Sequence, residues 1–233
     1  MNDKRQLLRS MRLPLQFVAL LWLIKGMELI THSDFSVLGN YPRKVNGIIG
    51  IFASPLIHGD MAHLMSNSVP IIILGALVLF FYPSVARRVV VGIYLLTGMA
   101  VWILARPVYH IGASGIVYGL AFFLFFSGVF RNDIRSLAVS FFIIFMYGGI
   151  IWGLAPYLSG VSWESHLFGA LSGSFLAFHY RHKDVPPPPK EPDLFQHEEE
   201  EISYRYIYVP KSGKDDQSTP HSTVPDGGNA NSG

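Results

Sequence analysis

Apolar residues in the first 183 positions gather into six long runs, near 14–31, 61–82, 88–105, 114–130, 136–156 and 163–181, separated by short stretches apart from the long loop 32–60. A helix rises about 1.5 Å per residue, so roughly 20 predominantly apolar residues cross a hydrocarbon core of about 30 Å. Each run approaches or meets that length, and the pattern predicts six transmembrane helices. Lys25 and Glu28 interrupt the first run at a spacing of three, where two side chains either pair along one face or snorkel outward. The fourth run is the shortest, about 25 Å at helical rise. Its first residues are therefore expected to lie recessed, with residues 106–113 dipping inward to reach them.

The pattern changes at Asp184. A four-proline run at Pro186–Pro189, an acidic block at Glu198–Glu201 and a Gly/Ser/Asn-rich end follow. Such a segment buries too little apolar surface to offset its conformational entropy, which predicts a disordered tail. Within it, Tyr204, Tyr206 and Tyr208 alternate at strand spacing over Ile202–Pro210, a pattern able to add to a sheet edge on a protein partner. The expected organisation is a short N-terminal segment over 1–13, a six-helix domain over 14–183 and an acidic, Pro-rich tail over 184–233.

Composition agrees with a membrane protein: 50% of residues are hydrophobic, 15% are charged, and mean hydropathy is +0.34. Cysteine is absent, which removes disulfides and thiolate metal sites. The net charge of +2 conceals an asymmetry that matters for orientation. With the N-terminus in the cytoplasm, the inner side carries Lys4, Arg5, Arg9, Arg12, Arg87, Arg88, Arg131, Arg135, Arg181 and Lys183, and the outer side only Arg43, Lys44 and Arg106. The positive-inside rule therefore places both termini in the cytoplasm. The first run lacks a small-residue cleavage site and reads as a helix that stays. No nucleic-acid partner is expected.

Under that topology, runs two, four and six each begin at the outer face and carry their polar residues there: His63 and Asn67, then Ser114, then His166. Such groups are costly in a bilayer and face one another or a water-filled cavity, so a shared interior site is the simplest account. His63 and Asn67 are four residues apart and share a helix face. Gly115 and Gly119 on run four, and Gly169 and Gly173 on run six, form small-residue stripes that allow the two helices to approach closely. Ser114 as nucleophile and His166 as base would perform acyl transfer. His63, Asn67 and the Ser114 backbone N–H would supply donors to the oxyanion. Glu164 lies about 200° around the helix from His166, so a dyad is expected, with Tyr118 packing against the imidazole.

Three motifs carry a resemblance. His58-Gly-Asp-Met-Ala-His63-Leu-Met-Ser-Asn67, Gly112-Ala-Ser114-Gly115-Ile-Val-Tyr118 and His166-Leu-Phe-Gly169-Ala-Leu-Ser-Gly173 stand in order on runs two, four and six. Together they resemble the rhomboid intramembrane serine proteases. The resemblance implies an all-α, six-helix rhomboid-like bundle that cleaves transmembrane substrate proteins near the outer membrane boundary without a cofactor or metal. It implies Ser114 as nucleophile, His166 as base and His63 with Asn67 as the oxyanion-stabilising pair, with His58, Gly112 and Tyr118 in support. It also implies substrate access near 136–156 and the cap loop 156–163, and a bacterial inner membrane. One departure stands in the loop 32–60, where Tyr41-Pro42-Arg43 replaces the Trp-Arg pair of many bacterial members. Three other readings are weighed. A catalytically inactive chaperone or adaptor would lack the serine or histidine. A metalloprotease could use His58, His63 and His166, but the sequence carries no HExxH motif, and a transporter would show repeat symmetry, which the sequence lacks.

Overall fold

Packing in this chain is helix on helix. The computed structural model describes residues 3–131, 133–155 and 162–185, and among them the only strand-like pairing is an isolated antiparallel bridge between Asn40 and His110. Six long helices follow one another: α1 Asp3–Thr31, α2 Met61–Phe81, α3 Ala86–Leu104, α4 Ser114–Arg131, α5 Ile134–Tyr147 and α6 Trp163–His179. Short helical turns at Phe35–Leu38, Val45–Ile49, Gly50–Ala53 and Ser54–Leu56 fill the connection from α1 to α2. The tail beyond Val185, with its tyrosine-rich stretch, lies outside the described residues.

Among the described residues, the first four helices are long and apolar enough to cross a membrane, whereas α5 is apolar but shorter and α6 has 17 residues. Three boundaries differ from those expected. The first helix begins at Asp3, not near 14, so the expected N-terminal segment 1–13 is largely part of α1. Its straight-chain Lys, Arg, Gln and Leu residues are good helix formers that a hydropathy window passes over. Pro14 is accommodated because its ring packs over Gly75, where any Cβ would come within 2.9 Å of it. The fifth run, expected over 136–156, stops being α-helical at Tyr147 and continues as a 3-10 stretch over Gly148–Leu154, consistent with the poor helix propensity of Gly148 and Gly149. At the other end, Asp184 belongs to the folded body. Its carboxylate accepts from the Ser84 hydroxyl at 2.7 Å and backbone N–H at 3.2 Å, tying the end of the domain to the α2–α3 turn.

Helix α4 is the centre of the bundle. It contacts α2, α3, α5 and α6, and its interface with α6 is the most extensive in the molecule. That interface is made by glycine. A Cβ on Gly169 would collide with the Gly115 carbonyl, and one on Gly173 with the Gly119 carbonyl. Lipid tails are as apolar as Leu, so burying leucine gives membrane helices little reason to associate, and close backbone packing supplies the contact instead. Around this seam lie buried Leu120, Phe123, Leu124, Ile93, Leu176 and Ala177.

Replacing Gly173 by Ala is expected to destabilise the protein by about 1–3 kcal/mol, because its methyl group meets backbone that has no rotamer to change. Gly26→Ala, where nothing lies within 4 Å of the added atom, is expected to cause no loss. Thermal unfolding of both variants in detergent checks the contrast.

Candidate active site

Helix α2 starts with Asp60 as its N-cap, whose carboxylate accepts the His63 backbone N–H at 2.7 Å. That bond holds the Asp60 carboxyl below the ordinary carboxylate range. It also fixes the first turn of α2, from which His63 and, one turn on, Asn67 face a cavity of about 1000 Å³. Ser114, Tyr118 and His166 line the same cavity, as do Arg106 and Tyr147. The Asn67 side chain donates to the His63 carbonyl at 3.0 Å, which leaves one of its two N–H groups for another acceptor.

Ser114 is the first residue of α4 and His166 sits in the first turn of α6. Ser114 Oγ and His166 Nε2 are 2.8 Å apart. The other ring nitrogen, His166 Nδ1, lies 2.8 Å from the Gly153 carbonyl oxygen, which can only accept. The proton therefore resides on Nδ1, and Nε2 presents its lone pair to the serine hydroxyl. Tyr118 stacks on the imidazole, with ring centroids 4.1 Å apart and planes within 7°. A Cβ on Gly153 would strike the Tyr118 hydroxyl, so only glycine lets the carbonyl-bearing segment lie this close.

The turn before Ser114 is held on three sides. Gly112 has φ of +103°, a left-handed conformation suited to glycine, and any Cβ there would come within 2.6 Å of the His63 ring. Its N–H donates to the Ser54 carbonyl at 2.9 Å, and the Ala113 N–H to His58 Nε2 at 3.4 Å. The His58 ring packs edge-on to His63, with centroids 5.0 Å apart. The three motifs are thus brought to one place. Glu164 is not part of it: its carboxylate pairs with Arg106 at 3.0 Å.

Several participating residues carry no mark in the sequence. Gly153 contributes only a carbonyl, in an apolar run with three residues between it and the upstream glycine pair. His110 is 2% exposed. Its backbone pairs with Asn40 in both directions at 2.9 Å, and its Nδ1 lies 2.6 Å from the Ser162 hydroxyl just before α6. The histidine spacing gave no hint of this, because its partners are 70 and 52 residues away. A second cavity of about 380 Å³, beside Pro14, Gly75 and Leu120, is lined only by apolar side chains and Tyr94. Among the described residues no three His, Asp or Glu side chains gather as a metal-binding group.

Comparison with known proteins gives a family and several relatives. A family model described as the Rhomboid domain matches residues 45–183. Uncharacterized proteins of Mycobacterium tuberculosis and Mycobacterium bovis are each 35% identical over 173 residues, covering 70% of this chain and 72% of theirs. An uncharacterized protein of Mycobacterium leprae is 31% identical over 173 residues, covering 70% of this chain and 68% of its own.

Burial, with His63 alongside, pushes the His58 pKa down from 6.5 to about 4. Between those values the unfolded chain binds a proton that the folded protein does not. Stability is therefore complete above pH 6.5 and falls as the pH drops toward 4, by up to about 3 kcal/mol from this group. The melting temperature in detergent should decline over that window, and His58→Gln, which keeps an acceptor for Ala113, should flatten the decline.

Proposed function

The chain belongs to the rhomboid family of intramembrane proteases, and we propose that it is an active serine endopeptidase that cleaves transmembrane proteins through a Ser114–His166 dyad. The observation that carries the reading is the 2.8 Å contact between Ser114 Oγ and His166 Nε2, with the Gly153 carbonyl fixing the tautomer. In the first step Ser114 Oγ attacks the scissile carbonyl carbon while its proton passes to Nε2. The carbonyl oxygen becomes an oxyanion beside the first turn of α4. Helix N-termini present N–H groups without intrahelical acceptors and the positive end of the dipole, which suit an anion. The Ser114 N–H, Asn67 Nδ2 and the His63 ring are the donors this reading assigns.

Collapse of the tetrahedral intermediate breaks the C–N bond, and the imidazolium returns its proton from Nε2 to the leaving amine. Water then attacks the acyl-Ser114 ester, His166 takes its proton, and the second collapse releases the new carboxyl end and restores the hydroxyl. The large cavity, with Arg106, Asp60 and Tyr147 on its walls, suits both the water and an unwound length of substrate. Its position supports cleavage close to the outer boundary. In this reading α5 and α6 complete six crossings, both termini are cytoplasmic, and the protein resides in a bacterial inner membrane. The distribution of basic residues and the mycobacterial relatives support that placement.

Purified protein should cleave a single-span model substrate in liposomes and bind a fluorophosphonate covalently, whereas Ser114→Ala and His166→Ala should do neither. Equal cleavage by all three forms would eliminate the dyad, and a folded wild type inert in both assays would favour the chaperone or adaptor reading. Separately, Asn67→Ala is expected to lower kcat by about 100-fold or more, in line with loss of one oxyanion donor, with little change in KM. A raised KM at constant kcat would instead make Asn67 a substrate-binding residue.

A further inference from the structure

An ammonium group buried in α1 is connected to the site by hydrogen bonds, although it lies on a helix that contributes nothing to the cavity wall. Lys25 is 7% exposed and sits outside the part of the chain matched by the family model. Its Nζ donates to Glu28 Oε2 at 2.7 Å, to the His58 carbonyl at 2.9 Å and to the Gly59 carbonyl at 3.1 Å. An ammonium has three protons, and each has an acceptor. Glu28 is anchored in turn: its Oε1 accepts the Phe35 N–H at 3.2 Å, which fixes the carboxylate at the start of the outer loop.

Such a pair is weak evidence for stability, since an apolar pair of similar volume in the same place is commonly as stable or more so. What the ammonium does here is gather two successive carbonyls, those of His58 and Gly59, and thereby set the path of the chain into Asp60 and α2. The His58 ring then reaches across with Nε2 to the Ala113 N–H. The Ala113 carbonyl accepts from both Ile116 and Val117, at 2.9 and 3.2 Å. Ala113 is therefore held at its N–H by His58 and at its carbonyl by the first turn of α4, which orients the peptide carrying the Ser114 N–H. His58 also backs the His63 ring. Both flanks of the oxyanion pocket thus rest on the His58 segment, and that segment rests on Lys25.

We propose that Lys25 is a positioning residue for transition-state stabilisation, acting through His58 on the Ser114 peptide and the His63 ring. The inference rests on the protease reading given above. Because neither Lys25 nor His58 lines the cavity, removal of the Lys25 ammonium lowers turnover and leaves substrate affinity alone.

The test is a double-mutant cycle on the full-length protein in liposomes, using Lys25→Met, His58→Ala and the double variant, with kcat and KM measured on a single-span substrate. Lys25→Met is expected to reduce kcat about tenfold, equivalent to roughly 1.4 kcal/mol of barrier, with KM within about twofold of wild type. In the His58→Ala background the same substitution is expected to have little further effect, since the connection is already cut. Trp22→Phe controls for docking of α1, because it removes the 3.1 Å bond from the Trp22 indole to Ser68 on α2 without touching the relay. Its kcat should stay at the wild-type value. An unchanged kcat in Lys25→Met, full additivity with His58→Ala, or an equal kcat loss in Trp22→Phe would each overturn the proposal. Should Lys25→Met fail to accumulate, Glu28→Gln is read in the same cycle and is expected to give a smaller kcat loss that is again non-additive with His58→Ala. A wild type that neither cleaves substrate nor reacts with a fluorophosphonate would overturn the protease reading, and this inference with it.

Discussion

The contact on which the rest of the structure depends is the meeting of two backbones, glycine against carbonyl, along the α4–α6 seam. Gly169 rests on the Gly115 carbonyl and Gly173 on the Gly119 carbonyl, one turn further along. Two such contacts fix separation, register and rotation of the helices together, because sliding by one residue would drive a side chain into a carbonyl. Ser114 lies one residue before the first glycine of one stripe and His166 three before the first of the other. Their 2.8 Å separation is therefore a consequence of backbone packing and not of the pair's own hydrogen bond. A net hydrogen bond contributes about 1 kcal/mol, too little to position two membrane helices.

The same frame explains why a backbone carbonyl stands where a soluble serine hydrolase places a carboxylate. A buried carboxylate beside His166 would need a counter-charge in a region where charge is expensive. The Gly153 carbonyl orients the imidazole and selects its tautomer without adding charge. It does less to stabilise an imidazolium than an anion would, and the stacked Tyr118 ring covers the other exposed surface of the imidazole. The carboxylate nearest in sequence, Glu164, is committed to Arg106 and holds the loop before α4 against the start of α6.

Side chains with a distinctive chemistry and a helical spacing were readable from the sequence. The apolar runs located all six helices, and the i, i+4 spacing of His63 and Asn67 with the two glycine stripes brought the candidate groups to one cavity. Contributions made by main chain were not readable, since any residue carries a carbonyl: Gly153 beside His166, Ser54 beside Gly112, and Asn40 paired with His110. The ends of helices were also hidden where hydropathy and helix propensity part company. Lys4 to Arg12 carry four basic residues yet are helical, while Gly148 and Gly149 lie in an apolar run that loses its α-helical geometry. Lys25 and Glu28 were legible as charges that either pair or snorkel outward but not as an anchor, because the Lys25 acceptors at His58 and Gly59 belong to a loop whose path the sequence does not specify.

Where the polar contacts fall divides the labour of the fold. At the end of the bundle that carries Ser114, Lys25 and Glu28 hold the approach to α2, Asn40 and His110 hold the approach to α4, and Arg106 and Glu164 hold the start of α6. At the other end, Asp184 ties to Ser84, and the Arg131 guanidinium donates to the Tyr180 carbonyl while lying over the Tyr82 ring. Between these ends, the α4–α6 seam uses small residues and apolar side chains, aromatic ones such as Phe123, Phe130 and Phe178 included. Directional bonds are strongest where water is scarce and costly to leave unmade, so they specify the paths of the loops that carry Ala113 and His58. Close-packed glycine supplies the rigid axis between them. Neither component suffices alone: the seam sets how far Ser114 stands from His166, and the loop contacts set which way its N–H points.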